Sequence, residues 1–359
     1  MRGAPSGGAA APPPPTVGPM TRPTAAPPTS WRGPEPDGGA PGRAVPADRP
    51  RLPARRAGAI VRRVVAALVV AAVAVAGVAV SWRVFVGSER GQAVDQAALD
   101  GAHIGQNRLW EVAEPVLDVV SVGFIAGAII ACAVIAFVRR RWALALVAGG
   151  VLVGANVTTR VLKTMLLDRP DLGYGPDFNT LPSGHTTAAA SVAAAVLLVV
   201  PPRARPWVAV LGATYAGATG VSTLVGQWHR PSDVIAGLLV VLLWGALGCA
   251  ALALRVGTTV DRHPPTAALP AITRGGSGTG TRVAAVLLGL VAAFAGGAAV
   301  VALRRTWSSP DPVGTTAALL TSYGGGALGI VATAAAVFAV LLVLRRSATS
   351  GSDAVGPTS

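Results

Sequence analysis

The chain has 359 residues, 52% of them hydrophobic and only 13% charged, with a mean hydropathy of +0.56. That balance excludes an ordinary soluble globular domain and predicts a membrane protein. The formal charge of +14 does not imply nucleic acid, because the arginines stand in short groups beside apolar runs, as at Arg55-Arg56, Arg62-Arg63, Arg139 to Arg141 and Arg345-Arg346; such groups are topology signals at membrane boundaries rather than a binding stripe.

Residues 1–57 are dominated by Pro, Gly, Ala and Arg, so they bury too little surface to offset ordering entropy and are expected to form a disordered cytoplasmic tail. The first apolar run begins only near Val64, after a long Pro-rich stretch, and reads as a retained anchor rather than a cleavable signal. A bilayer core requires about 20 mostly apolar residues per helix. Eight stretches approach that length: 64–85, 117–138, 142–162, 185–200, 207–226, 233–254, 283–303 and 325–344. The expected fold is an all-α integral membrane protein. A six-helix unit covers 58–254, a Pro/Gly/Thr-rich flexible linker 255–282, a two-helix extension 283–345 and a second disordered tail 346–359. The extension is rich in small residues, and GGGALG at 324–329 suits close helix packing or homo-oligomerisation. Cys132 and Cys249 both fall in apolar runs and imply no disulfide framework.

With both termini in the cytoplasm, Arg139 to Arg141, the PPRARP turn at 201–206, the 255–282 loop and Arg345-Arg346 are cytoplasmic too, and only Arg304-Arg305 opposes the assignment. The same placement sends 86–116, 163–184 and 222–232 outward together. Nearly all the unusual polar residues lie in the last two.

The first polar group holds Lys163, which is the sole lysine of the chain, and Arg169-Pro170. These are cations of the kind needed around a phosphoryl group, Arg169 as a bidentate ligand and Lys163 as a point charge. The second is LPSGHTT at 181–187. There Pro182-Ser183-Gly184 predicts a turn into a helix whose free N–H groups favour an anion, with Ser183 adding a hydroxyl and His185 placed to protonate a leaving oxygen. The third is STLVGQWHRPSD at 222–233. If a helix starts near Pro231, Asp233 lies one turn from His229, accepts its N–H and leaves the other ring nitrogen fixed as nucleophile or base.

The order Lys…Arg-Pro, Pro-Ser-Gly-His, Ser-x6-His-x3-Asp resembles the type-2 phosphatidic acid phosphatases, the membrane branch of the superfamily that includes bacterial acid phosphatases and vanadium haloperoxidases. The resemblance spans roughly 58–254. It implies a phosphatase-type transmembrane core and a two-step, metal-independent, cofactor-free hydrolysis of a lipid phosphate or diphosphate. His229 would form a phosphohistidine, Asp233 would orient it and His185 would protonate the leaving group. Lys163, Arg169, Ser183, Gly184 and Ser222 would hold phosphoryl oxygens. The implied setting is the outer face of the cell membrane, with membrane lipids as neighbours. Two departures stand out: five residues rather than six separate Lys163 from Arg169, and Thr223 occupies the position where the family carries an arginine. Arg230, or Arg160 on the third expected span, is a candidate substitute for that cation.

Two other functions fit the same residues. A phosphotransferase would pass the phosphoryl group to an alcohol, and a product assay separates it from a hydrolase. A catalytically silent lipid-binding scaffold or transporter would not need both histidines and Asp233, all of which are present. Trp228 reads as an aromatic-belt residue, Tyr174, Asp177 and Asn179 as loop polarity, His103 and His263 as solvated side chains, and Asn156 as a partner in an interhelical hydrogen bond.

Overall fold

The computed structural model describes residues 54–104, 142–260, 276–309 and 311–347, with isolated positions between 106 and 134. Most of the expected tail at 1–57, most of the 117–138 span, the middle of the 255–282 linker, nearly all of the 346–359 tail, Cys132 and His263 lie outside the described residues. Those described form helices and no strand: α1 (Ala54–Ser81), α2 (Glu89–His103), α3 (Trp142–Val161), α4 (Gly184–Val199), α5 (Arg205–Val225), α6 (Pro231–Val260), α7 (Gly276–Ser308) and α8 (Thr316–Ser347). Single π-helical turns extend α1 through Trp82–Val86 and α3 through Leu162–Leu166. Six of these segments are long and apolar enough to cross a bilayer, and the protein is a multi-pass membrane protein.

The helix boundaries follow local chemistry. Pro206 sits in the first turn of α5 and Pro231 opens α6, where a missing N–H costs nothing. Ser88 and Ser183 cap α2 and α4 by accepting the Gly91 and Thr186 N–H groups.

The 16 residues of α4 reach about 24 Å, less than a hydrocarbon core of about 30 Å. The helix is nonetheless shielded, because α3, α5 and α6 pack around it. Its alanines, Ala188 to Ala190 and Ala193 to Ala195, are buried, and such small side chains let backbones approach closely where no aqueous hydrophobic effect drives association. Asn156 of α3 donates to Ser191 Oγ of α4 at 3.1 Å, the interhelical bond expected of an intramembrane amide.

The C-terminal pair shares the core of the other helices. Phe338, Leu341 and Leu342 of α8 are fully buried in one cluster with Ala213 and Ala216 of α5 and Leu238 of α6, and α7 packs mainly on α8. α6 continues to Val260 and α7 starts at Gly276, so regular structure extends into both ends of the segment expected to be a linker.

The connection 86–116 contains α2, which packs against α8 and across the end of α1. Arg90 of α2 donates to the carbonyls of Thr306, Trp307 and Ser309 at the C-terminus of α7, where a cation offsets the helix dipole. A Cβ on Gly91 would lie 1.8 Å from the Val84 carbonyl oxygen. Gly91→Ala is therefore expected to push α2 off α1 and destabilise the protein by about 1–3 kcal/mol, seen as a lower thermal midpoint in detergent.

Candidate active site

The three polar groups of the sequence meet at one end of the bundle. The C-terminus of α5, the loop 226–230 and the first turn of α6 form one wall. The N-terminus of α4 forms a second. The π-helical end of α3 with the loop 167–183 forms a third. One backbone bond, from Ser183 N–H to the Asp233 carbonyl at 2.8 Å, joins the first two.

Because α6 starts at Pro231, Asp233 stands in its first turn beneath His229. The His229 Nδ1 to Asp233 Oδ2 distance is 3.3 Å, and the same oxygen accepts the Arg230 N–H at 3.1 Å. Both side chains are buried, Asp233 completely, and Thr180 of the opposing loop also faces the carboxylate. An imidazole that donates its Nδ1 proton to Asp233 keeps a lone pair on Nε2. The 226–230 loop is fixed by the Thr223 carbonyl, which accepts the N–H groups of Trp228 (3.0 Å) and His229 (3.2 Å).

His185, the second residue of α4, is exposed, with its ring centroid 6.2 Å from that of His229. Gly184 has open space where a Cβ would be, so the helix N-terminus is accessible there. The Ser183 hydroxyl is committed to its own helix, accepting the Thr186 N–H and donating to Thr186 Oγ1 at 3.1 Å. In this structure the hydroxyl serves as the cap of α4.

Arg169 is 7% exposed. Its Nη2 donates to the Tyr174 carbonyl at 2.8 Å, whereas Nε and Nη1 are buried with no acceptor among the described residues. Buried guanidinium donors are as a rule hydrogen-bonded, so these two are free to take a phosphoryl oxygen or water. Burial first, and the nearby Arg230 charge second, lower the Arg169 pKa, with Asp233 and Asp95 opposing; the group stays protonated. Lys163 lies half-buried in the π-helical turn that ends α3, and its carbonyl accepts from Asn179. Asn179 also bonds Leu181 N–H and carbonyl. Tyr174 and Asn179, read from sequence as loop polarity, therefore hold the Arg169 and Lys163 segments.

Ser222 lies in the last turn of α5, where its carbonyl accepts the Gly226 N–H at 2.8 Å. The Thr223 hydroxyl turns back to the Gly220 carbonyl at 2.8 Å. Arg230 is 3% exposed. It donates through Nε (3.1 Å) and Nη2 (2.5 Å) to Gln96 Oε1 and lies directly beneath Gly175, whose φ of +82° suits glycine and whose Cβ would overlap Nη2. Arg160 is exposed on α3.

Sequence reasoning missed α2 and the aromatic wall. Gln92 donates to the Pro170 carbonyl (2.9 Å), Gln96 holds Arg230, and Gln227 donates to the Leu99 carbonyl (2.6 Å). Asp95 accepts the N–H of Ser232 (3.2 Å) and its hydroxyl (2.5 Å). Burial above all, and the Asp233 charge next, push the Asp95 carboxyl up to about 7 against the pull of Ser232 and Arg230. Trp228, read as a belt residue, packs its ring 5.2 Å from His185 and 5.9 Å from Trp110. The N-cap signal Ser88-Glu89 was the available pointer to α2. None marked its glutamines.

Comparison with known proteins fits this geometry. Residues 144–257 match the PAP2 superfamily. The chain is 42% identical over 80 residues to Lipid A 1-phosphatase of Porphyromonas gingivalis, a stretch covering 22% of this chain and 17% of that relative, so under a fifth of the relative's length is spanned. No solved structure matches. The matched residues 144–257 carry the Lys163, His185 and His229 groups, and it is this part of the chain that is similar to the PAP2 superfamily.

Proposed function

We propose that this protein is a membrane phosphatase that hydrolyses a lipid phosphate or diphosphate through a phosphohistidine on His229. The observation that carries the reading is the His229–Asp233 pair at 3.3 Å, set opposite His185, in a site where Arg169 has two buried donors with no acceptor among the described residues. Nε2 of His229 attacks phosphorus while the bond from phosphorus to the leaving oxygen breaks. His185 gives that oxygen a proton. Water then attacks phosphorus while His185 takes its proton, the P–N bond breaks with its electron pair returning to Nε2, and phosphate departs with His229 restored. Asp233 stabilises the positive imidazole during both steps.

Lys163, Arg169 and Arg230 supply the positive charge for the developing phosphoryl oxygens, which supports metal-independent chemistry. The lipid class draws support from the membrane setting and from the relative's name. The arginine groups beside the apolar runs support a cell-membrane protein with cytoplasmic termini and an outward-facing site. Arg230 takes the place of the family cation missing at Thr223. Arg230→Ala is accordingly expected to lower kcat/KM by about 10- to 100-fold, with Arg160→Ala near wild type; equal effects of the two would remove Arg230 from this role.

The direct test is phosphate release by the purified protein in detergent from a panel of lipid phosphates and diphosphates, with chelator present and with an alcohol acceptor in a parallel reaction. Chelator-resistant release supports the proposal. Release from no lipid sinks it, metal dependence sinks the mechanism, and preferential transfer to the alcohol makes the protein a phosphotransferase.

A further inference from the structure

His229 and His185 are held in different ways. The imidazole of His229 is hydrogen-bonded to Asp233 at 3.3 Å. Among the described residues no hydrogen bond or ion pair holds the His185 ring, which stands exposed in the first turn of α4. Its ring neighbours are aromatic: the Trp228 indole, 5.2 Å away between centroids at an interplanar angle of 36°, and the His229 ring at 6.2 Å. Trp110 in turn meets the Trp228 ring at 5.9 Å and 71°, an edge-to-face arrangement that aromatic pairs favour.

The backbone that delivers Trp228 is strained. Gln227 has a φ of +61° and is, among the described residues, the sole non-glycine with a positive φ, in the left-handed region that L side chains avoid. Such a conformation persists where its surroundings over-determine it. Here the Gln227 side chain donates to the Leu99 carbonyl of α2 at 2.6 Å, Gln106 donates to the Val225 carbonyl at 3.0 Å, and a Cβ on Gly226 would lie 2.8 Å from the Trp110 ring. The turn sets the Trp228 N–H, like that of His229, on the Thr223 carbonyl and leaves the indole 46% exposed against His185. A residue of an aromatic belt needs only an interfacial position, which an unstrained turn also provides. What the strained turn adds is the contact with His185.

We propose that Trp228 is the positioning residue of the general acid: its indole, backed by Trp110, limits rotation of the His185 imidazole so that a ring nitrogen faces the leaving oxygen, as Asp233 does for the nucleophile. The inference rests on the phosphatase reading of the same site. A general acid contributes about 10²- to 10⁴-fold when it lies within hydrogen-bond reach of the oxygen it protonates, and an imidazole turning freely at a helix end spends little time in that geometry. The need for the proton depends on the leaving group. When the P–O bond of an alkyl phosphate breaks, its electron pair goes to an alkoxide oxygen, which takes the proton of His185. When that of p-nitrophenyl phosphate breaks, the phenolate keeps the pair and needs no proton.

The test is kcat/KM of the full-length protein in detergent for dodecyl phosphate and for p-nitrophenyl phosphate, in wild type, Trp228→Leu and Trp228→Phe. This quantity covers only the steps through the first P–O cleavage, so the later role of His185 as a base does not enter. Trp228→Leu should lose about tenfold or more activity on dodecyl phosphate beyond its loss on p-nitrophenyl phosphate, and Trp228→Phe should regain most of that difference. Equal losses on the two substrates, or none on either, overturn the proposal. A second measurement needs no turnover: the order of the His185 ring on the ps–ns timescale, from NMR relaxation of protein labelled in its four histidines, with His185→Gln assigning the signal. The ring should be rigid in wild type and mobile in Trp228→Leu. A ring equally ordered in both overturns the proposal, and a ring already mobile in wild type does so even if the variant fails to fold. Release of phosphate from neither substrate contradicts the hydrolase reading, while a rigid wild-type ring freed in Trp228→Leu leaves the role of Trp228 standing.

Discussion

His229→Ala should lower phosphate release by about 10⁴-fold or more while leaving the protein folded. The expected loss is that of a nucleophile acting with an orienting carboxylate, where removing the attacking group forfeits nearly everything the pair contributes. Folding should survive because the loop around His229 is held by backbone bonds to the Thr223 carbonyl and by Gln227 to Leu99, none of which uses the imidazole. The check pairs a steady-state assay with a thermal midpoint. Loss of activity together with a collapsed midpoint would instead indicate that the 3.3 Å contact to Asp233 is chiefly structural.

Arg169→Ala should cost about 10²- to 10³-fold in kcat/KM, the range for removing a preorganised charge from a developing oxyanion. Arg169→Lys should recover little, because one ammonium cannot present the Nε and Nη1 donors together while also reaching the Tyr174 carbonyl. The contrast with Arg230 is informative. Arg230 has its Nε and Nη2 engaged by Gln96, so its contribution is mainly a fixed charge, whereas Arg169 keeps two buried donors available for a ligand. An Arg169→Ala variant with unchanged kcat/KM would mean that the buried donors serve only the loop.

Much of the site was legible because its chemistry is local in the chain. His229 and Asp233 are separated by one helical turn once Pro231 begins α6, and the spacing alone predicts their contact. Small residues around Ser183 likewise predict the start of α4. What sequence could not reveal depends on long-range pairing. Gln96 meets Arg230 across 134 positions and Asp95 meets Ser232 across 137, and in sequence both resemble the wet face of a short surface helix. The same holds for Trp228, whose place at a helix mouth is apparent but whose contact with His185 is not. Ser183 shows the reverse limitation: its position was legible, but one hydroxyl serves either a cap or a ligand, and the local N–H of Thr186 takes it. Helix lengths were read well where apolar runs are long. The ends of α6 and α7 extend beyond their apolar stretches into Thr- and Gly-containing sequence, where hydropathy gives no signal.

The central claim is that His229 becomes covalently phosphorylated during turnover. Rapid quenching of the purified protein with a lipid substrate labelled in its phosphoryl group measures this directly. The account predicts acid-labile, alkali-stable label on the peptide containing His229, formed before free phosphate accumulates and absent from His229→Ala. Phosphate release with no label on that peptide, or label that persists in His229→Ala, would contradict it.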